Sequence, residues 1–190
     1  MKGSCIDLKA AYKQLAVRED HKRYSVVGLP RQGKTQYYVL NALAFGASAD
    51  VLHFNRAARA LNYLVHEKAG GTVTNFFDDF VCIAPSVVVD AMYKRTQRIL
   101  NMMGWKLKPK SLNPPDFEFT ALGVKIFFEP DARTFHVSNK EERVLKLQTQ
   151  IQKVRTEKLL PYGEVQRMRG KMVFSASQVR GRVGAVTLTV

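Results

Sequence analysis

The sequence predicts an α+β fold in which antiparallel strands form one layer and helices cover one face of it. Three observations support this class: paired short runs rich in aromatic and β-branched residues, long segments with apolar residues at helical spacing, and glycines that end those segments. With 190 residues, 46% of them hydrophobic, the chain can bury one sizeable core and a small second part.

The first part of the chain carries a buried strand, a turn or short helix, a basic hairpin and an amphipathic helix. These elements are predicted in that order at 4–8, 9–17, 24–40 and 51–65. The helix has apolar residues at spacings of three and four, and Gly70 is expected to end it. Residues 28–34 are expected to connect the two strands of the basic hairpin.

The most informative segment is an acidic hairpin at 75–83. Asp78 and Asp79 lie between two runs rich in aromatic and β-branched residues, at the expected turn. A solvated polar turn is the simpler interpretation. Two adjacent carboxylates repel each other, however, unless a cation lies between them. Asp7 ends the first strand and is either a helix cap or a third ligand, so the three acids predict a divalent-metal site.

The second part of the chain predicts a helix, a pair of strands and two further helices. The helix covers 87–103, and the strands cover 117–128 and 134–137. Ser138 and Glu141 have capping-box spacing, so a helix is predicted to begin at Ser138. A last helix is predicted from Pro161, with breaks at Gly181 and Gly184, and a domain boundary is placed between 137 and 138.

The chain is strongly basic, with 30 Lys and Arg against 16 Asp and Glu and a formal net charge of +14. This excess favours a polyanionic partner, nucleic acid more than an acidic membrane surface. A basic protein without such a partner is the alternative. The residues expected to contact nucleic acid are Arg56, Lys108, Arg167, Arg169 and Lys171.

Cysteine content and hydropathy predict the compartment. Cys5 and Cys82 have neither metal-ligand spacing nor a disulfide framework, which favours a reducing environment. No apolar run is long enough to cross a bilayer and no signal peptide opens the sequence, so no membrane partner is expected. We therefore expect an intracellular location, in the cytoplasm or the nucleus.

Five short motifs, in this order, resemble those of the palm of reverse transcriptases. They are Ile6–Tyr12, Phe45–Ser48, Phe76–Asp79, Gly104–Lys110 and Phe119–Gly123. The third motif is similar to the aromatic-x-Asp-Asp signature of that family. The segment 169–177 resembles the region after the palm in retroelement enzymes, particularly those of tyrosine-recombinase retrotransposons.

The resemblance implies a polymerase palm-like antiparallel sheet at 1–137, including a partial fingers hairpin at about 13–44, and a small helical thumb-like segment at 138–190. It implies an RNA-directed DNA polymerase that extends a primer 3′-OH with dNTPs on an RNA or DNA template-primer. Asp7 and Asp78 would hold Mg²⁺ (or Mn²⁺), with Asp79 as a more peripheral ligand.

The resemblance also implies roles in nucleotide binding. The Tyr12 ring would lie beneath the incoming sugar and select deoxynucleotides, although an ordinary core residue is the simpler interpretation of this aromatic. Phe45 and Gly46 would shape the pocket for the nascent base pair. Lys110 would lie near the phosphates, although a solvated lysine is the simpler interpretation.

Two features depart from the family pattern. The fingers segment that precedes the first motif in the family is missing, and Ala49-Asp50-Val51 replaces a Ser/Asn-Ala-Pro-like stretch in the second motif. The chain is therefore expected to be part of a longer polyprotein with further domains. Two alternatives stay open: a catalytically inactive retroelement remnant that binds nucleic acid, and an RNA-directed RNA polymerase palm.

Overall fold

The computed structural model describes residues 1–109, 112–131, 134–157 and 161–186. The chain divides into two compact units, Met1–Asp116 and Phe117–Val190. This division lies before the boundary placed between 137 and 138. The reason is that the strands after Asp116 hydrogen-bond to one another in a sheet of their own.

The first unit contains five strands and two α-helices among its described residues, and it follows the predicted order. They are β1 (Lys2–Asp7), β2 (Val26–Arg31), β3 (Lys34–Val39), α1 (Ser48–Ala69), β4 (Thr72–Phe76), β5 (Asp79–Ala84) and α2 (Val89–Met102). Gly70 ends α1 in the left-handed conformation, with φ 81°, as the sequence predicted.

An antiparallel sheet in the order β1-β5-β4 is the centre of this unit. Both helices pack on it and on each other, and Ile6, Phe80, Phe54 and Leu100 are fully buried in their shared core. The sheet is three-stranded and antiparallel because β4 and β5 form a hairpin and β1 pairs with the free edge of β5. The predicted α+β class is confirmed.

The basic hairpin forms the β2–β3 ribbon, with register pairs from Val26↔Val39 to Arg31↔Lys34. Its turn contains only Gln32 and Gly33, with φ 50° and 74°. Two consecutive residues with positive φ match the right-handed twist of the strands, so pairing extends to the tip. The predicted connection at 28–34 was therefore wrong, because most of it is strand.

The second unit combines a three-stranded antiparallel sheet with two helices in its described part. The elements are β6 (Glu118–Ala121), β7 (Val124–Phe128), β8 (Phe135–Asn139), α3 (Glu141–Glu157) and α4 (Tyr162–Val186). The single strand predicted at 117–128 is a hairpin, since Leu122 and Gly123 take φ 51° and 79° in a two-residue turn.

Two helix boundaries differ from the sequence prediction. Ser138 is a strand residue paired with Lys125, so α3 begins at Glu141 and the predicted capping box does not form. Cross-strand hydrogen bonds outweigh a local cap here. Helix α4 continues past Gly181 and Gly184, where a break was expected. In the described ranges, no helix is long and apolar enough to cross a membrane.

Candidate active site

Strands β1 and β5 bring two of the three predicted acids side by side. Asp7, the last residue of β1, is the register partner of Asp79, the first residue of β5. Asp78 lies in the adjoining turn, and its carbonyl oxygen accepts a hydrogen bond from the Leu8 backbone N–H at 3.2 Å. Acids far apart in sequence therefore meet at one end of the sheet because the strands pair antiparallel.

The turn that carries Asp78 has an unusual backbone. Phe77 has φ 52°, a left-handed conformation that glycine normally supplies in a two-residue hairpin turn. The Asn75 side-chain amide donates to the Phe77 carbonyl at 3.1 Å, and the Phe76 and Phe77 rings meet edge to face at 4.8 Å. These contacts hold the turn, and they fix where Asp78 leaves the backbone.

Partial burial and neighbouring negative charges destabilise the ionised forms of Asp78 and Asp79. Partial burial raises the pKa of Asp78, and the negative charge of Asp7 raises it further. Partial burial also raises the pKa of Asp79, with contributions from Asp7 and Asp78, while a hydrogen bond with the Cys5 thiol lowers it. Burial and the nearby Asp79 raise the pKa of Cys5 to about 12, so this thiol stays protonated and can donate.

A lysine partly compensates the acids. The Lys108 ammonium lies 2.5 Å from Asp7 Oδ2, and this hydrogen bond and charge raise the pKa of Lys108. The backbone brings it there, because the Lys108 N–H donates to the Asp7 carbonyl at 2.9 Å and Leu8 and Leu107 form a β-bridge. Lys108, expected to contact nucleic acid, is thus placed against the acids.

The Gln14 side chain hydrogen-bonds to the two backbone segments that bring Lys108 to Asp7. Its amide nitrogen donates to the carbonyls of Lys9 and Lys106, at 2.7 and 3.0 Å, and its oxygen accepts from the Lys106 N–H at 2.7 Å. One side chain therefore joins the chain after β1 to the chain before Lys108. Gln14 was not predicted as a site residue, because no spacing or composition signal in the sequence marks it.

The three carboxylates suit a divalent cation in charge and ligand type. Mg²⁺ prefers oxygen ligands, and a cation would offset the charges of Asp7 and Asp78, which add to the effect of burial in raising the pKa of Asp79. Within the described residues, no three His, Cys, Asp or Glu side chains are already spaced to hold a metal ion. Since Lys108 contacts Asp7 Oδ2, a metal ion bound through that oxygen would compete with the Lys108 ammonium.

A cavity of about 520 Å³ opens beside Asp78 and Asp79. Its other walls are mainly apolar and come from the turn after β1, from the chain before α1 and from the acidic hairpin. They include the three residues that were predicted to bind a nucleotide and are described here: Tyr12, Phe45 and Gly46. An apolar cavity with a few polar groups at one end is typical of a small-molecule site.

Aromatic packing fixes the Tyr12 wall of this cavity. A left-handed Ala10, with φ 50°, turns the chain after β1 into a 3₁₀ turn at Ala11–Gln14. Tyr12 then stacks on Phe54 of α1, with ring centroids 4.5 Å apart, and meets Phe45 edge-on at 5.6 Å. Tyr12 is buried and therefore rigid, whereas Phe45 is 90% exposed. The cavity wall thus contains one buried aromatic ring, Tyr12, and one exposed aromatic ring, Phe45.

Gly46 also suits a ligand cavity. Its φ is 108°, and a Cβ built there would meet no atom within 4 Å. The glycine is therefore required by its backbone conformation, and the space in front of it is open.

The remaining predicted residues have separate locations. Arg56 is an exposed residue of α1, and Arg167, Arg169 and Lys171 are exposed on α4 of the second unit. Arg167 donates to the Gly163 carbonyl at 3.1 Å, and Lys171 lies 3.4 Å from the Gln150 side-chain oxygen. Lys110 lies outside the described residues.

An antiparallel sheet with helices on one face and an acidic hairpin at its end defines an α+β fold of a kind known from solved polymerases. The chain is similar to three structures of foamy viral protease–reverse transcriptase, each at 18% identity over 92% of this chain. TM-scores are 0.68 for a form in complex with double-stranded DNA, 0.67 for another such complex, and 0.69 for a complex with an RNA/DNA hybrid.

The chain accordingly has a reverse-transcriptase-like fold. It spans 27%, 33% and 21% of the length of those three chains, in the same order. No protein-family model and no curated protein matches the sequence. The further resemblance to tyrosine-recombinase retrotransposon enzymes stays a prediction.

Proposed function

We propose that this chain is the catalytic part of an RNA-directed DNA polymerase, which extends a primer 3′-OH with dNTPs on an RNA or DNA template. The observation that carries the proposal is the meeting of Asp7, Asp78 and Asp79 at one sheet end, beside a cavity with Tyr12 in its wall. The similarity of its fold to solved reverse transcriptases also supports the proposed polymerase function.

In this proposal, Asp7 and Asp78 hold divalent metal, and Asp79 is a more peripheral ligand. Mg²⁺ or Mn²⁺, when bound, supplies Lewis-acid stabilisation of the charge that develops on attacking and leaving oxygens in phosphoryl transfer. The chain's own contribution is to fix the carboxylates, since the β1–β5 register and the bond from Leu8 to Asp78 set their positions.

The cavity walls would bind the nucleotide. Tyr12 is buried and stacks on Phe54, so packing restrains its ring against moving aside for a bulkier sugar. This rigidity supports selection against a 2′-hydroxyl and therefore favours dNTPs over rNTPs. Phe45 and Gly46 would shape the pocket for the base pair next to Tyr12, where Phe45 offers an exposed ring.

Primer extension on a primed RNA template tests the proposal. We expect the full chain with Mg²⁺ to incorporate dNTPs, and Asp78→Asn to lower the rate by at least about a hundredfold, the scale of losing one electrostatic stabiliser. Asp131→Asn, at an exposed turn residue of the second unit, is a matched control that should extend normally. Equal rates for Asp78→Asn and wild type would contradict the proposal, and preference for rNTPs would favour an RNA polymerase.

The Lys108–Asp7 ion pair favours a second candidate, a nucleic-acid-binding protein without polymerase activity. An ammonium on Asp7 compensates the acids without metal, so the folded chain does not require a cation there. Calorimetry with Mg²⁺ or Mn²⁺ separates the two candidates. Heats that are equal for wild type and Asp78→Ala would support the second candidate and rule out a metal site at Asp78.

A further inference from the structure

Asp50 lies where the second motif departs from the family pattern. It is the third residue of α1 and is half-buried, and its Oδ2 accepts a hydrogen bond from the Ala44 backbone N–H at 2.7 Å. In a capping box, the third residue of a helix bonds back to the N–H of the N-cap residue, which is Ala47 in α1. The Asp50 side chain reaches three residues further back, so it ties α1 to the chain before it.

The bonded segment carries two of the predicted nucleotide-binding residues, Phe45 and Gly46. Directly before this segment, the Leu43 N–H donates to the Leu15 carbonyl at 3.0 Å, and the bond to Ala44 is the next tie along the chain. Phe45 is 90% exposed, so burial contributes little to holding its ring in place. The position of the ring therefore depends on how the backbone beside it is held.

The Asp50 carboxylate lies outside the proposed nucleotide cavity. Phe45 lines the cavity of about 520 Å³, whereas Asp50 and Ala44 line a second cavity of about 920 Å³. A nucleotide in the first cavity would therefore contact Phe45 and not Asp50. The Asp50 charge is nevertheless close to the first cavity, because it adds to the effects of burial and of Asp78 in raising the pKa of Tyr12.

We propose that Asp50 is a positioning residue for the proposed nucleotide cavity, because its hydrogen bond to Ala44 holds the exposed Phe45 ring beside Tyr12. The Phe45 and Tyr12 rings meet edge to face with centroids 5.6 Å apart, and one such contact is weak. This role rests on the proposed polymerase function, in which the cavity binds the dNTP. It adds a residue that the sequence resemblance did not include.

The proposal predicts which kinetic constant changes. The β1–β5 register places Asp7 and Asp79, so loss of the Asp50 hydrogen bond should leave the acids where they are. A residue that only shapes the binding cavity stabilises bound substrate and transition state equally. Its loss therefore raises KM for the dNTP and leaves kcat unchanged.

Primer extension by the full chain with Mg²⁺, at varied dNTP concentration, tests this prediction. We expect Asp50→Ala to raise KM about tenfold, the scale of one hydrogen bond to a charged group. Asp50→Asn keeps an oxygen that can accept from the Ala44 N–H, so its KM should stay within about threefold of wild type. Rescue by asparagine separates the hydrogen bond from the charge.

A second measurement needs neither metal nor nucleotide. A nuclear Overhauser effect between ring protons of Tyr12 and Phe45, in the full chain with EDTA, reports their contact directly. It should be present in wild type and Asp50→Asn and lost in Asp50→Ala. Asp90→Ala removes an exposed acid from the first turn of α2 and is the matched control, which should keep both the contact and KM. Circular dichroism verifies that each variant is folded.

Three outcomes would overturn the role of Asp50. The first is a Tyr12–Phe45 Overhauser effect that persists in folded Asp50→Ala. The second is an unchanged KM in Asp50→Ala, with or without a fall in kcat. The third is an equal rise of KM in Asp50→Asn and Asp50→Ala, which would assign the effect to charge.

Failure of the wild type to extend primers would have a different meaning. It would contradict the proposed polymerase function and, with it, the part of Asp50 in nucleotide affinity. The Overhauser comparison would still decide whether Asp50 holds Phe45 beside Tyr12, because that measurement does not depend on activity.

Discussion

Removing one charge from the acidic site should stabilise the metal-free protein. Asp79 is half-buried, and its pKa is raised by burial and by the charges of Asp7 and Asp78. Asp79→Asn keeps the shape and an oxygen that accepts the Cys5 hydrogen bond, but it removes this repulsion. For a partly exposed group, the gain in the free energy of unfolding is about 0.2–1 kcal/mol at pH 7.

The raised pKa of Asp79 also makes the free energy of unfolding depend on pH. A carboxyl group with a raised pKa in the folded state binds protons more tightly there than in the unfolded chain. Its favourable contribution is present below the ordinary carboxyl pKa and is lost as pH rises through the folded-state pKa. The advantage of Asp79→Asn should therefore be present at pH 7 and disappear near pH 3, where the Asp79 carboxyl is protonated.

Thermal unfolding of the full chain with EDTA measures this effect. A gain of that size should raise the Tm by about 0.4–4 °C at pH 7. Asp131→Asn removes a carboxylate from an exposed turn and should leave the Tm unchanged. Adding Mg²⁺ should raise the Tm of wild type more than that of Asp79→Asn. A lower Tm for Asp79→Asn at pH 7, or a gain that persists at pH 3, would refute the electrostatic reasoning.

Three further predictions concern the core, the lysine and the charge. Phe54→Ala should lower the free energy of unfolding by about 3–5 kcal/mol in urea denaturation, because this buried ring stacks on Tyr12; the exposed Leu52→Ala should change it by less than about 0.5 kcal/mol. Lys108→Met should tighten Mg²⁺ binding in calorimetry, because Asp7 loses its ammonium partner, and Lys108→Arg should not. Nucleic-acid affinity should fall linearly with salt on logarithmic axes, and a flat dependence would contradict a basic binding surface.

Short-range patterns predicted the order of elements in the first unit. Apolar spacing gave α1 and α2, and β-branched runs gave the acidic hairpin, because both patterns follow from which face of an element is buried. The errors fell where strand pairing competed with a local signal. At Ser138, pairing with Lys125 continues the strand through a capping-box sequence.

The sequence alone determined that Asp78 and Asp79 lie at a hairpin and that the chain is strongly basic, since both are properties of neighbouring residues or of composition. Only the tertiary structure decided that Asp7 is the register partner of Asp79 and that Lys108 contacts Asp7. It also decided that Tyr37 lies on Gly28. The physical reason is that strand register joins residues that no local pattern relates.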